Sequence, residues 1–292
     1  MSKVLCLGDI MLDVTAVVGA PIKQGVETRA SISTQGGGAA ANVASWLAVS
    51  GTSAHLIARV GDDPAGRTVL AELDRFGVEH SHKIIPDAHT GVVVVLVDAL
   101  GERTMFPDSG ANSGLSPDDL PPLDDVTAVY LSGYPLVNLM SRQGALEILG
   151  IVNEMGLPVI FDPSTVGVLL DVGLKQVREW LTMVDVVVLN EEEAHFLSGK
   201  NNPVDAAAEL LQLTPLVVIK RGGNGALAQA RGSALVQIPA IDVEVVDTTG
   251  AGDAFAAGFI KGWIAKNELV DSLQSGAELA AKCVAIVGSR PQ

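Results

Sequence analysis

Along most of the chain, short apolar runs rich in β-branched residues alternate with longer stretches rich in Ala and Leu. The runs Val4–Leu7, Ala54–Val60, Ala128–Ser132, Val159–Asp162, Val184–Asn190 and Leu216–Lys220 carry few polar positions. That pattern predicts strands covered on both faces. Between them, Ala39–Ser50, Ala65–Phe76, Ser141–Met155, Glu191–Ser198, Val204–Leu213, Ala251–Ala265 and Asp271–Val287 read as helices. Gly51, Gly77 and Gly156 mark helix ends. Such alternation predicts an α/β fold, a parallel sheet with helices on both faces. With no repeat or linker evident, residues 1–292 read as one domain.

Two segments break the alternation. Residues 13–35 hold no clear helix. Residues 90–106 contain TGVVVVLVDALGERTM, two strand-like runs around Ala99-Leu100-Gly101-Glu102, which predicts a hairpin. Together the two segments are expected to form a small β lid beside the main sheet. The competing expectation for the Val run is a buried edge strand.

Composition narrows the partners. Of the 292 residues 48% are apolar and only 4% aromatic, so Val, Ala, Leu and Ile must fill the core. The formal charge of −15 disfavours nucleic acid and anionic membrane as partners. It also means that any phosphate site must be built locally, from backbone amides, a few cations and a metal ion. Cys6 and Cys283 sit in apolar runs and are expected to be free core thiols. The N-terminal apolar run is too short for a signal peptide, and no run reaches spanning length, so a cytoplasmic protein is expected.

The candidate chemistry lies late in the chain. VEVVDTTGAGDAFAAGFIKGWIA, from Val243, reads as a strand, a Gly-rich turn and an Ala-rich helix. Amides of Gly250, Ala251 and Gly252 at a helix start suit an anion. Asp253 in the first turn could accept a proton from a hydroxyl attacking a phosphoryl group held there. Two other readings stand beside this one. Asp253 could merely complement the helix dipole. Gly250-x-Gly252 could belong to a dinucleotide fingerprint of an NAD-dependent enzyme, but Phe255 holds the third Gly position.

DTTGAGDAFAAGF resembles the C-terminal signature of the ribokinase-like (PfkB) family of carbohydrate and nucleoside kinases. GGGAAANVASWLAVSGTSAHLIARVGDDPAGR, residues 36–67, resembles that family's N-terminal signature, and the two occur in the family's order. The resemblance implies a three-layer sandwich with a mainly parallel sheet and a small β lid. It also implies phosphoryl transfer from ATP, with Mg²⁺, to a hydroxyl of a small sugar. A nucleoside acceptor, or a non-catalytic sensor using the same pocket, remains as an alternative.

Carried onto this chain, the resemblance makes Asp253 the general base beside an anion hole at Gly250, Ala251 and Gly252. It assigns Asp13, Gly37, Gly38 and Asn42 to the acceptor, with Val95 as an apolar lid residue. Asp9 is read instead as bonding backbone after the first strand. Asn190 and Glu193, in NEEEAHFL, match an element that acts on Mg²⁺ through water. Lys220, Gly222 and Gly225 match the nucleotide loop, for which an ordinary hairpin turn is the competing reading. Asp247 and Thr249 match positions that help hold a monovalent cation such as K⁺ in some relatives. Lids in relatives often pair, which implies a homodimer.

The chain also departs from its relatives. Ala39-Ala40-Ala41 stands where ribokinases carry Lys, and Gly133 where they carry a substrate-binding Glu. Val166 holds the Arg position of FDPNxR in ketodeoxygluconate and fructose kinases. Arg103 in the hairpin is read as a solvated loop residue rather than a ligand of a substrate anion.

Overall fold

The apolar runs become strands in the computed structural model, which describes residues 2–22 and 24–292. Met1, in the predicted domain, and Lys23, in the predicted lid segment, lie outside the described residues. The strands in chain order are β1 (Lys3–Leu7), β2 (Met11–Val17), β3 (Ser31–Gly37), β4 (Ser53–Gly61), β5 (Glu79–Ile85), β6 (Gly91–Val97), β7 (Arg103–Asp108), β8 (Val126–Ser132), β9 (Val159–Asp162), β10 (Val186–Asn190), β11 (Leu216–Lys220), β12 (Ala226–Ala230) and β13 (Val236–Ile238). The helices are α1 (Ala39–Val49), α2 (Pro64–Phe76), α3 (Tyr134–Val137), α4 (Leu139–Glu154), α5 (Val166–Val172), α6 (Leu174–Leu181), α7 (Glu191–Ser198), α8 (Pro203–Leu210), α9 (Ala251–Ile264) and α10 (Leu269–Val284).

Among the described residues the main sheet runs β13-β12-β11-β10-β9-β8-β1-β4-β5. It is parallel from β5 to β11, and β12 and β13 add antiparallel pairs at one edge. Successive strand residues point to opposite faces, and two cores result. Val4, Cys6, Tyr130, Val188 and Val218 pack with residues of α1, α9 and α10 on one side. Leu5, Leu7, Leu131, Phe161 and Leu189 pack with residues of α4, α6, α7 and α8 on the other. This is the expected three-layer arrangement. Cys6 and Cys283 are buried and free, also as expected.

The segments that broke the alternation form a separate sheet of order β3-β2-β6-β7. The buried edge-strand expectation for the Val run therefore fails. β6 and β7 pair as a hairpin with Val95 opposite Met105 and Val97 opposite Arg103. Its turn begins at Asp98, whose N–H donates to Glu102 O at 3.0 Å, one residue before the predicted start.

The strand expected before Asp247 does not form. The amides of Val246 and Asp247 both donate to Val284 O, at 2.7 and 3.2 Å. That segment is thus held by the end of α10 and pairs with no sheet, which leaves Val245 and Val246 exposed. Other elements escaped prediction for local reasons. β5, EHSHKII, is polar because it is an edge strand. β12, ALAQA, is built of helix formers. α5 and α6 are short, with Gly167 inside one and Gly173 between them.

Candidate functional site

The parallel strands β1, β9, β10 and β11 end along one side of a cleft of about 1180 Å³, and the small sheet forms another wall. Open α/β sheets place ligands at this carboxyl edge. Asp9, Asp162, Asn190 and Lys220 reach the cleft from the strand ends, and α9 points its N-terminus at it. On the small sheet the two-residue period sends Asp13, Gln35, Val93, Val95, Met105 and Arg103 into the cleft. Val95 is buried, as an apolar wall residue.

Gly250 caps α9 in the left-handed region, at φ 75°, and a Cβ there would lie 2.6 Å from Ser289 Cα. Both facts require glycine. The Ala251 N–H donates to Thr248 O at 3.3 Å, a long bond that an anion would have to compete with. Gly252 faces Lys220: a Cβ on it would stand 3.2 Å from Lys220 Nζ. The helix start therefore carries a cationic neighbour that the sequence had placed only on a loop.

Asp253 occupies the first turn of α9. Its Oδ2 accepts from Asn42 Nδ2 at 2.8 Å, across 211 residues of chain. Burial pushes its carboxyl up to about 7; Asn42 and Lys220 oppose the rise, while Asp162 and Asp9 add to it. A carboxylate with this pKa suits proton acceptance near neutral pH.

The acceptor-side residues converge. A Cβ on Gly37 would lie 2.2 Å from Asp13 Oδ1, so a side chain there would displace the Asp13 carboxylate. Burial raises Asp13 to about 6, against the pull of Arg290. Gly38 caps α1 at φ 95°, and a Cβ would lie 2.6 Å from Asp9 O. Asp9 does bond backbone, as expected, but at the start of α1, where the Ala39 and Ala40 amides reach its carboxylate.

Asn190 and Glu193 form a reciprocal capping box on α7. Asn190 N and Nδ2 donate to Glu193 at 2.8 and 2.6 Å, and Glu193 N donates to Asn190 Oδ1 at 2.8 Å. This structural role accounts for their spacing by itself. Both residues nonetheless line the cleft, and Glu193 is fully buried. Burial, then Asp162, raises its carboxyl to about 8, and Lys220 opposes them. Asp162, which sequence reading passed over, accepts from Lys220 Nζ at 2.8 Å and joins the two clusters. Its sequence signals were a carboxylate at the end of a parallel strand and its place as the Asp of the stretch compared with FDPNxR.

Gly222 and Gly225 turn the β11–β12 hairpin and line the cleft. At Gly225, with φ 84°, a Cβ would lie 2.0 Å from Ile238 O. The hairpin reading is thus realised, while Lys220 turns away from it toward Asp162.

Arg103 is exposed, as expected, but it lies on β7 rather than in a loop, and it is not free. Its guanidinium bonds both Asp247 and Thr249 Oγ1. Asp247 also accepts from Thr249 N at 2.9 Å, Thr249 Oγ1 at 2.7 Å and Gly288 N at 3.0 Å. Burial alone would raise the Asp247 carboxyl, but bonds from Thr249, Arg103 and Gly288 hold it well below the usual range. The position matched to a monovalent cation is already supplied with a guanidinium from the small sheet.

With this geometry in place, the comparisons are specific. The profile of the pfkB family carbohydrate kinase matches residues 1–291. An ATP-dependent ribose-1-phosphate kinase of Halopiger xanaduensis is 32% identical, over 99% of this chain and 93% of its own. A fructokinase of Klebsiella pneumoniae is 35% identical, over 86% of this chain and 84% of its own. The crystal structure of an aminoimidazole riboside kinase from Salmonella enterica, complexed with aminoimidazole riboside and an ATP analogue, superposes with TM-score 0.83. It is 27% identical and covers 99% of this chain and 95% of its own.

Proposed function

The chain belongs to the pfkB family of carbohydrate kinases, and we propose that it phosphorylates a hydroxyl of a small sugar with Asp253 as general base. One observation carries this reading: Asn42, from the acceptor side, donates to Asp253, at the helix terminus that faces Lys220. Acceptor, base and anion site thereby meet at one point.

In the reaction, the acceptor oxygen forms a bond to the γ-phosphorus of ATP, and the bond from that phosphorus to the bridging oxygen of ADP breaks. Asp253 takes the hydroxyl proton. The Gly250–Gly252 amides and Lys220 face the charge on the transferring group. Closure of the small sheet as a lid would keep water from competing as acceptor. Among the described residues no cluster of three or more His, Cys, Asp or Glu could hold a metal alone. Asp162, Asn190 and Glu193 line the cleft and offer the oxygen ligands that suit Mg²⁺, which keeps water and phosphate ligands besides. These three would hold it through water, where it supplies positive charge.

Val93, Val95 and Met105 on the cleft face of the small sheet would cover a nucleoside base as readily as a sugar, which favours nucleosides as the second reading. The opposite face exposes Ile32, Val94 and Phe106, which supports pairing of two copies through the small sheet. Among the described residues no helix is long and apolar enough to cross a membrane. The test is ADP release over a panel of pentoses, hexoses, sugar acids, sugar phosphates and nucleosides with ATP and Mg²⁺. Release with a sugar supports the reading; binding without any ADP release points to a sensor.

A further inference from the structure

Arg290 follows α10 in an irregular segment, yet it is only 6% exposed. Its guanidinium is divided among three acceptors. Nη1 donates to Glu72 at 2.9 Å, Nη2 to Gly37 O at 2.8 Å and Nε to Asn42 Oδ1 at 3.2 Å. Two of the three belong to the acceptor wall. The oxygen of Glu72 that faces Arg290 also accepts from Gly36 N at 3.0 Å, so the pair grips the glycine turn from both sides. Ser289 adds a hydroxyl donor to Asn42 Oδ1 at 3.3 Å, and its carbonyl is pinned by Trp46 Nε1 at 2.9 Å.

The chemistry of the Asn side chain makes these contacts consequential. An amide has one accepting and one donating end of nearly equal size, and only its partners decide which faces where. Arginine has donors and no acceptor. Placed at one end of Asn42, it selects Oδ1 there, and Nδ2 is then turned toward Asp253. The reversed amide would set an oxygen against the Asp253 carboxylate. Glu72 takes only Nη1, and the other two bonds of this guanidinium go to the elements that receive the acceptor.

We infer that Arg290 is the positioning residue of the acceptor end, fixing the Asn42 amide and the Gly37 carbonyl so that a bound hydroxyl lies against Asp253. The inference rests on the kinase reading above. Arg290 acts through Asn42 and Gly37 and makes no hydrogen bond to Asp253, so its substitution separates acceptor effects from ATP effects.

The experiment is steady-state kinetics of Arg290→Met, Arg290→Lys and Asn42→Ala, with the double variant Asn42→Ala/Arg290→Met. Each uses the full chain and the acceptor that the ADP-release panel identifies. Arg290→Met should raise the acceptor KM about tenfold or more, while the ATP KM stays within about twofold. Arg290→Lys keeps the charge beside Glu72 but cannot reach all three acceptors, so its acceptor KM should fall between the two. In the double variant the Arg290 substitution should cost less than it does alone, because Asn42, one of its two targets on the acceptor wall, is gone while Gly37 O remains. Additive effects, or a lowered Tm with an unchanged acceptor KM in Arg290→Lys, would overturn the inference. The Arg290→Lys result decides the matter even where Arg290→Met does not fold. A wild-type chain that transfers phosphate to no acceptor defeats the kinase reading and this inference together. A wild-type chain that turns over while both Arg290 variants match it defeats the inference alone.

Discussion

Asn42 Nδ2 donates to Asp253 Oδ2 at 2.8 Å, and this bond joins α1, which carries the first signature motif, to α9, which carries the second. It also tempers the base, lowering a carboxyl that burial raises. Asp253→Asn should therefore keep the fold and ATP binding but reduce kcat by about 10²–10⁴, the usual contribution of a general base. Single-turnover transfer and ATP binding by calorimetry check this. Near-normal turnover would remove Asp253 from the role.

The pH dependence follows from the same carboxyl. Asp253 must be ionised to accept a proton, and its pKa lies at about 7. Activity should rise from the acid side through about pH 7. Loss of the Asn42 bond should move that limb to higher pH, because the bond favours the charged form. A kcat profile for the wild type that is flat from pH 5 to 8 would contradict the assignment.

Stability should move the opposite way. The folded pKa of Asp253 lies above its ordinary 3.8, so its contribution is fully present below that value and is lost as pH rises through about 7. Asp253→Asn should thus raise Tm at pH 8, with a smaller gain at pH 5, by about 2–4 °C for each kcal/mol relieved. Calorimetric scans at the two pH values test the sign. A lower Tm at pH 8 would show that the carboxylate is not strained.

Two glycines of one motif should respond differently. Gly250→Ala combines a left-handed backbone with a Cβ 2.6 Å from Ser289 Cα, so it should lose stability measurably. Gly252→Ala meets only Lys220 Nζ, at 3.2 Å, the movable end of a long side chain. It should fold with Tm close to that of the wild type and lose phosphoryl transfer. Equal Tm losses in the two variants would argue against an anion site at Gly252.

Arg103 already bonds Asp247 and Thr249, so potassium should have little to add. Replacing K⁺ by an organic cation at constant ionic strength should change wild-type activity by less than about twofold. Arg103→Ala should lower activity and make it respond to K⁺. Strong K⁺ activation of the wild type would show that the guanidinium leaves Asp247 during turnover.

The sequence by itself determined the layered architecture, because apolar runs buried on both faces, alternating with helical stretches, admit little else. It also located Asp253 and the glycines around it, since a helix start bearing small residues and an acid has a direct chemical reading. It gave Asn190 and Glu193 as a pair, although the capping box shows that local helix chemistry suffices to explain their spacing. Tertiary structure alone decided the partners: Asn42 with Asp253, Lys220 with Asp162, Arg103 with Asp247 and Arg290 with Asn42. Each pair is separated by 58 or more residues. Local pattern carries burial and helix ends, which depend on near neighbours. Which distant charge neutralises which depends on strand order, and that exists only once the sheet is assembled.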